Sequence, residues 1–504
     1  MDLEPQPLTW PGRALLLAVI AFGIFSVLYL ADFWFFSTAR RHPIYFALLS
    51  FAIFWGVYRS LINWYIYFFI TPPASRLATR DYSVDVLITA MPGEPFAMFE
   101  ETLTAVQAMT HAHHTFLLDG GNDPALRALC ERLGVQHVNC VGVGGAKAGK
   151  INHCLELLAK SEVVFIVDPD HRSRVDLLER ALPWFDDAKV GFVQVVQAYY
   201  NADESFIADA AAEQTFGFYG PTLLGLNGLG IPTAIGANCI FRRAALDSIG
   251  GHAVHLAEDA LTSMRLHAQG WRSVYLPYRG TSGLVPADLG SFFKQQFKWS
   301  TGMFYLLFRE YPKLFRRFDL TAKPHYFFAG TFYFNGLATF LTLVLPIWFL
   351  FFKVFAVEFP LDEFALHLFP YAASTVFTYA LVQKWYTHSS ERRVPWRSLV
   401  LEKGTWHVYL MGMISGLLNR RVEYLPTPKG PLNRARSPWL VAPHLVVMVL
   451  SAAAIVFALA TYPRLDDGSL LMIGFAALNI VLLTPITGIA LFPGWNWRGA
   501  RGTT

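Results

Sequence analysis

Apolar residues along this chain gather into six long runs, 14–36, 43–70, 326–352, 363–385, 439–462 and 469–492. Each matches or exceeds the ~20 residues that carry a helix across a bilayer core, so the pattern predicts about six membrane spans, two before and four after a central segment. In that segment, roughly 71–322, apolar residues come in short runs instead: VDVLITA at 84–90, TFLLD at 115–119 and VVFIV at 163–167. The runs lead into acidic or glycine-rich turns, and a helical pattern such as 95–109 lies between them. Strands alternating with helices predict an open α/β sheet whose ligand crevice lies at the strands' carboxyl ends. Two amphipathic stretches, 288–314 and 396–418, are expected to lie along the membrane surface.

Composition agrees with the spans. Of 504 residues 54% are hydrophobic and 15% charged, against about 25% charged in ordinary soluble proteins. The first run is long, lacks a small-residue cleavage site and is followed at once by a second, which separates it from a signal peptide. A net charge of +4 leaves no basic footprint for nucleic acid. Arg392, Arg393, Arg397, Lys403, Arg420, Arg421, Lys429, Arg434 and Arg436 crowd the loop after the fourth run, which is therefore expected to be cytoplasmic, with the central domain on the same face. Arg40 and Arg41, between the first two runs, point the other way. The four cysteines, Cys130, Cys140, Cys154 and Cys239, lack metal-ligand spacing and are expected to be reduced.

Candidate chemistry begins with VGVGGAKAGKIN, 141–152, in which Gly144, Gly149 and Lys150 satisfy the spacing of a phosphate-binding P-loop. Ile151 stands where that loop needs a magnesium-holding Ser or Thr, so the match fails at the residue that carries chemistry. Asp168 and Asp170 form a D-x-D after an apolar strand; on an extended chain both carboxylates face one side and suit Mg²⁺ or Mn²⁺ bound with a diphosphate. An isolated pair of this kind equally reads as a helix cap. Glu258 and Asp259 open a helical stretch, FKQQFKWSTG at 293–302 supplies Gln295, Gln296, Lys298 and Trp299, and EYLPTPKG occupies 423–430.

Taken in order, DVLITAMPGEP, LLDGGND, KAGKIN, FIVDPDH, LAED, QQFKW and YLPTPKG resemble the motif series of the processive, membrane-embedded family-2 glycosyltransferases, most closely bacterial cellulose synthase catalytic subunits. The resemblance implies a cytoplasmic α/β domain of GT-A type joined to the helical membrane bundle. It further implies 1–70 as two spans, 71–285 as the catalytic domain, 286–322 as an interface helix, 323–386 as two spans, 387–438 as interface helix and gating loop, and 439–504 as two spans with a tail. By the same likeness Asp259 is the general base. Glu94, Asp119, Lys147, Asp168, Asp170, Lys298, Thr427 and Lys429 face the donor, Asp168 and Asp170 hold the metal, and Gln295, Trp299, Glu258 and His171 face the acceptor.

Departures from the pattern include Leu118 beside Asp119, Lys150 where Asn is usual, and Lys298 where Arg is usual. Implied partners are a nucleotide-sugar donor, UDP-glucose first, the growing polysaccharide, inner-membrane lipid, and accessory secretion subunits. The product is a β-1,4- or β-1,3-glucan, with hyaluronan-, chitin- or mannan-like chains, or a single-sugar transfer to a lipid carrier, as alternatives. Aromatic residues such as Phe332, Tyr333, Phe334, Tyr371 and Trp385 are expected either along the polymer's path or in packing roles. The chain stops at GWNWRGARGTT, so no appended cyclic-dinucleotide domain is expected.

Overall fold

A computed structural model describes residues 9–420 and 437–492. Among them six helices are long and apolar enough to cross a membrane: Trp10–Ser37, Pro43–Phe68, Ala322–Phe352, Leu361–Trp385, Pro438–Thr461 and Asp467–Leu491. Each coincides with one apolar run, and polar caps set where some begin: Thr9 accepts from the Gly12 amide and Asp466 from the Ser469 amide.

Between the second and third spans lies an eight-stranded mixed sheet, with β1 Val84–Ala90, β2 His114–Asp119, β3 Gln136–Asn139, β4 Val163–Val167, β5 Arg172–Ser173, β6 Val190–Tyr199, β7 Cys239–Arg242 and β8 Arg272–Gly283, ordered β3-β2-β1-β4-β7-β6-β8-β5. The first four in that order are parallel, while β7 runs antiparallel to both of its neighbours. All of β1 and β4 is buried, which is why both read as nearly unbroken apolar runs. Val163, Phe165 and Val167 face one core with Phe99 and Leu103 of helix α1 (Phe96–Gln107). Val164 and Ile166 face the other with Ile151 and Cys154 of helix α2 (Ala146–Leu157). Register pairs Ala90 with Asp119 and Ile88 with Val167, so the ends of β1, β2 and β4 form one edge.

Helix α3, Glu258–Ala268, and helix α4, Leu289–Tyr305, lead from the sheet to the membrane. One expectation needs correction in detail. The 396–418 stretch is two helices, α5 Trp396–Gly404 and α6 Trp406–Leu417, broken beside Gly404, a poor helix former pressed against Ile486. A Cβ on Gly412 would meet Ser300 Oγ at 2.1 Å and one on Gly416 would meet Phe304 Cβ at 2.7 Å, so α4 and α6 cross over two positions that only hydrogen fits.

Polar groups also lie within the spans. Asn335 of the third span accepts from Trp55 Nε1 of the second and donates to Glu402 of α5 at 2.8 Å, while the Arg59 guanidinium lies 4.8 Å from the Phe332 ring centroid. Lys403 reaches Thr339 Oγ1 at 3.2 Å. An ionisable group on a membrane-spanning helix is costly to expose to lipid, and Arg59 lies against an aromatic face. Phe334 packs edge-on against both Trp55 and Phe304, and Tyr333 against Tyr409, beside this cluster, whereas Trp385 is buried at the end of the fourth span under Lys384.

Candidate active site

The site forms where β4 ends. His171 N donates to the Asp168 carbonyl at 3.0 Å, so D-x-D is a turn and not an extended segment as the spacing suggested. Its carboxylates nevertheless converge. One ligand atom each from Asp168, Asp170 and His171 lies within 4.8 Å of the others. His171 is 1% exposed, its Nδ1 stands 3.4 Å from Asp170, and neither ring nitrogen makes a hydrogen bond. Asp170 also accepts from the Leu284 amide at 3.1 Å. Two carboxylates and a buried imidazole without hydrogen bonds fit a divalent cation of the Mg²⁺ or Mn²⁺ kind.

Lys147 joins this turn to the opposite wall. It sits in the first turn of α2, is 7% exposed, and its ammonium donates to Asp168 Oδ1 and to the Gly236 carbonyl, both at 2.5 Å. Gly236 in turn lies against Asp259, since a Cβ there would stand 3.1 Å from Asp259 Oδ2. Glu258 and Asp259 begin α3, where the helix dipole favours negative charge. Burial, then repulsion by Asp259, raises the Glu258 carboxyl above its ordinary range. Burial likewise raises Asp259, opposed by the Ala260 amide, Lys147 and Lys298. Lys298 of α4 thus acts on both acids, while Trp299 beside it stands 41% exposed and Gln296, not Gln295, is the buried amide that accepts from Tyr409.

The remaining predicted residues line the same sheet edge in a different way. Asp119 accepts from the Gly121 and Asp123 amides at 2.7 and 2.6 Å and meets His137 Nε2 at 3.0 Å. Burial would raise its carboxyl, but these hydrogen bonds outweigh burial and hold it below the ordinary value. Glu94 accepts from the Met91 amide at 2.8 Å. Lys150 is buried and donates to the Ala90 carbonyl at 2.6 Å, so the P-loop-like lysine braces the end of β1. A Cβ on Gly149 would fall 1.7 Å from the Gly144 carbonyl oxygen, which accounts for that glycine by packing. Thr427 and Lys429 lie outside the described residues.

Sequence reasoning missed the segment before β7. Gly236 supplies the carbonyl that Lys147 holds, and Asn238, at φ 60° and 0% exposed, has both side-chain polar atoms without partners. Its only signal is the G-A-N triplet ahead of an apolar strand. Gln194 holds this segment by donating to the Ala237 carbonyl at 3.0 Å and accepting from the Ile235 amide at 3.0 Å.

The model of glycosyl transferase family group 2 matches residues 163–461, more than half of the chain, from the D-x-D strand through the fifth span. The chain belongs to that family. It is 29% identical over 263 residues to the cellulose synthase catalytic subunit of Xanthomonas axonopodis pv. citri (strain 306), covering 50% of this chain and 36% of the relative. With that of Pseudomonas fluorescens (strain SBW25) it is 25% identical over 390 residues, covering 75% and 52%. The chain therefore spans about a third to a half of the length of these curated relatives. Among solved structures, the mannosyltransferase PcManGT from Pyrobaculum calidifontis in complex with GDP-Man and Mn²⁺ superposes with a TM-score of 0.48 at 16% identity, covering 75% of this chain and 100% of that one. The cellulose-synthase-like resemblance read from the motifs is borne out, and with it a GT-A-type domain on a helical membrane region.

Proposed function

We propose that the protein is a processive, inverting glycosyltransferase that polymerises a UDP-sugar, UDP-glucose first, into a β-1,4- or β-1,3-glucan. In this reading it passes the chain through its own spans, with the catalytic domain on the cytoplasmic face of a bacterial inner membrane. The observation that carries the reading is the Lys147 junction, which ties the D-x-D turn to the wall on which Asp259 lies. A leaving-group site and a base then share one cleft.

Asp168 and Asp170, with His171 beside them, would hold a divalent ion, whose chemistry is to neutralise the departing diphosphate. Asp259 takes the proton from an acceptor hydroxyl as that oxygen attacks the anomeric carbon and the bond to the diphosphate breaks, so an α-linked donor yields a β-linked product. A carboxylate whose affinity for protons is raised by burial is the stronger base once ionised. Lys147 and Lys298 oppose that rise by favouring the ionised form, and Glu258 stands beside Asp259 at the helix start. Glu94 and Asp119, near the strand ends, border the nucleotide, and the YLPTPKG motif assigns Thr427 and Lys429 to the diphosphate. Gln295 and the exposed Trp299 indole serve the acceptor's terminal sugar. The group of Trp55, Arg59 and Asn335 on the second and third spans, with Glu402 of α5, supports translocation, because a hydroxyl-rich polymer needs polar partners and flat faces along its path.

The test uses purified protein in lipid nanodiscs with Mg²⁺ or Mn²⁺ and, separately, labelled UDP-glucose, UDP-N-acetylglucosamine and GDP-mannose. Insoluble polymer from UDP-glucose, digestible by a linkage-specific glucanase and absent in Asp259→Asn, is expected. UDP release onto a lipid acceptor with no polymer from any donor would overturn processivity.

A further inference from the structure

We infer that the elbow joining α4 to the third span is a docking surface for anionic phospholipid head groups. Beyond Tyr305 the helix continues through Leu306–Glu310 and Tyr311–Leu314, then turns, and the span begins at Ala322. Arg309 and Lys313 stand four residues apart on the helical part, Arg316 and Arg317 lie in the turn that follows Leu314, and all four are exposed. The two acids in the stretch are engaged locally: Glu310 pairs with Lys313 at 2.7 Å, and Asp319 accepts from the Thr321 and Ala322 amides at 3.0 and 2.7 Å. Among the described residues no carboxylate pairs with Arg309, Arg316 or Arg317.

Two arginines just after the fourth span are different. There Arg393 pairs with Asp209 and Glu213, and Arg397 lies 3.4 Å from Asp209, so those guanidiniums are occupied inside the protein.

Large apolar side chains accompany the cations of the elbow. Leu320 is 83% exposed, Phe315 and Phe327 each 43%, and the Lys323 ammonium lies 5.2 Å from the Phe315 ring centroid. Apolar anchors continuous with a membrane span, beside guanidiniums that bind phosphate in a fork, fit the boundary between acyl chains and a charged head group. A zwitterionic head group lacks the net charge that these cations attract. On its inner side the elbow packs Leu306, Phe318, Ala322 and Tyr326 against Ala257, Ala260, Leu261 and Met264. Lipid seated outside therefore steadies the start of α3, where Glu258 and Asp259 stand.

The full chain is reconstituted in nanodiscs of equal parts phosphatidylcholine and phosphatidylglycerol, extracted into detergent, and its retained lipids are counted by native mass spectrometry. Wild type is expected to enrich phosphatidylglycerol. Arg316→Gln with Arg317→Gln should lose about fivefold of that preference per arginine, whereas the paired Lys substitutions keep most of it. Retention of both lipids in proportion by wild type, or undiminished enrichment by the Gln pair, would overturn the inference. None of these readouts depends on sugar transfer.

Discussion

Asp259, Glu258, Lys147 and Lys298 form one electrostatic unit at the proposed base. Asp259→Asn keeps the shape but removes the proton acceptor, and a fall of about 10²- to 10⁴-fold in turnover is expected, with donor binding by calorimetry little changed. Because burial raises Asp259, the acid limb of the kcat/KM profile should lie above the ordinary aspartate range of about 3.9. Lys147 lowers both acids, so Lys147→Met should move that limb to still higher pH. Stability follows the same sign. A carboxyl raised in the folded state binds more protons folded than unfolded, so its contribution falls as pH rises from the unfolded value through the folded one. Glu258→Gln removes that loss and is expected to raise the apparent melting temperature at pH 8, with the gain vanishing below about pH 4, where wild-type Glu258 is protonated in both states. A gain that stays constant with pH would contradict the burial argument. Much of this residue scale was visible in sequence, since the acids, Lys147 and Lys298 sit in recognisable motifs. That Lys147 grips both Asp168 and the Gly236 carbonyl was not, because those partners lie 21 and 89 residues away along the chain.

Among the elements, α4 and α6 set the height of QQFKW relative to the catalytic domain. Their closest approach is at Gly412 and Gly416, where a side chain must displace Ser300 or Phe304. Gly416→Leu should destabilise by about 1–3 kcal/mol or more and lower turnover by shifting Lys298 and Trp299, whereas Met413→Leu between them should leave both nearly unchanged. Paired thermal melts and donor-turnover assays read the difference. Spans and buried strands were legible because each announces itself by length and apolar periodicity within a dozen or two residues. The D-x-D turn was misread as extended, since its geometry comes from a hydrogen bond between His171 N and the Asp168 carbonyl that no period reports.

At the scale of the molecule, a polar, aromatic group is held between the second and third spans and α5. If this is the polymer's way out, Asn335→Leu should shorten the product while early UDP release persists, and size-exclusion analysis of product against released UDP separates the two effects. Chelation by EDTA should stop transfer, with Mn²⁺ or Mg²⁺ restoring it; transfer that continues in chelator would remove the cation from the Asp168–Asp170 turn.

The sequence by itself determined the six apolar helices, the buried strands with their acidic ends, and the residue types of a family-2 transferase, because each is encoded in neighbouring positions. Only the tertiary structure decided that His171 is buried with neither ring nitrogen hydrogen-bonded, that Asp119 and Lys150 brace their loops, and that Gly236 lies against Asp259. Those outcomes depend on which distant segments pack together, and packing is chosen by the summed burial of the whole chain, which no local stretch contains.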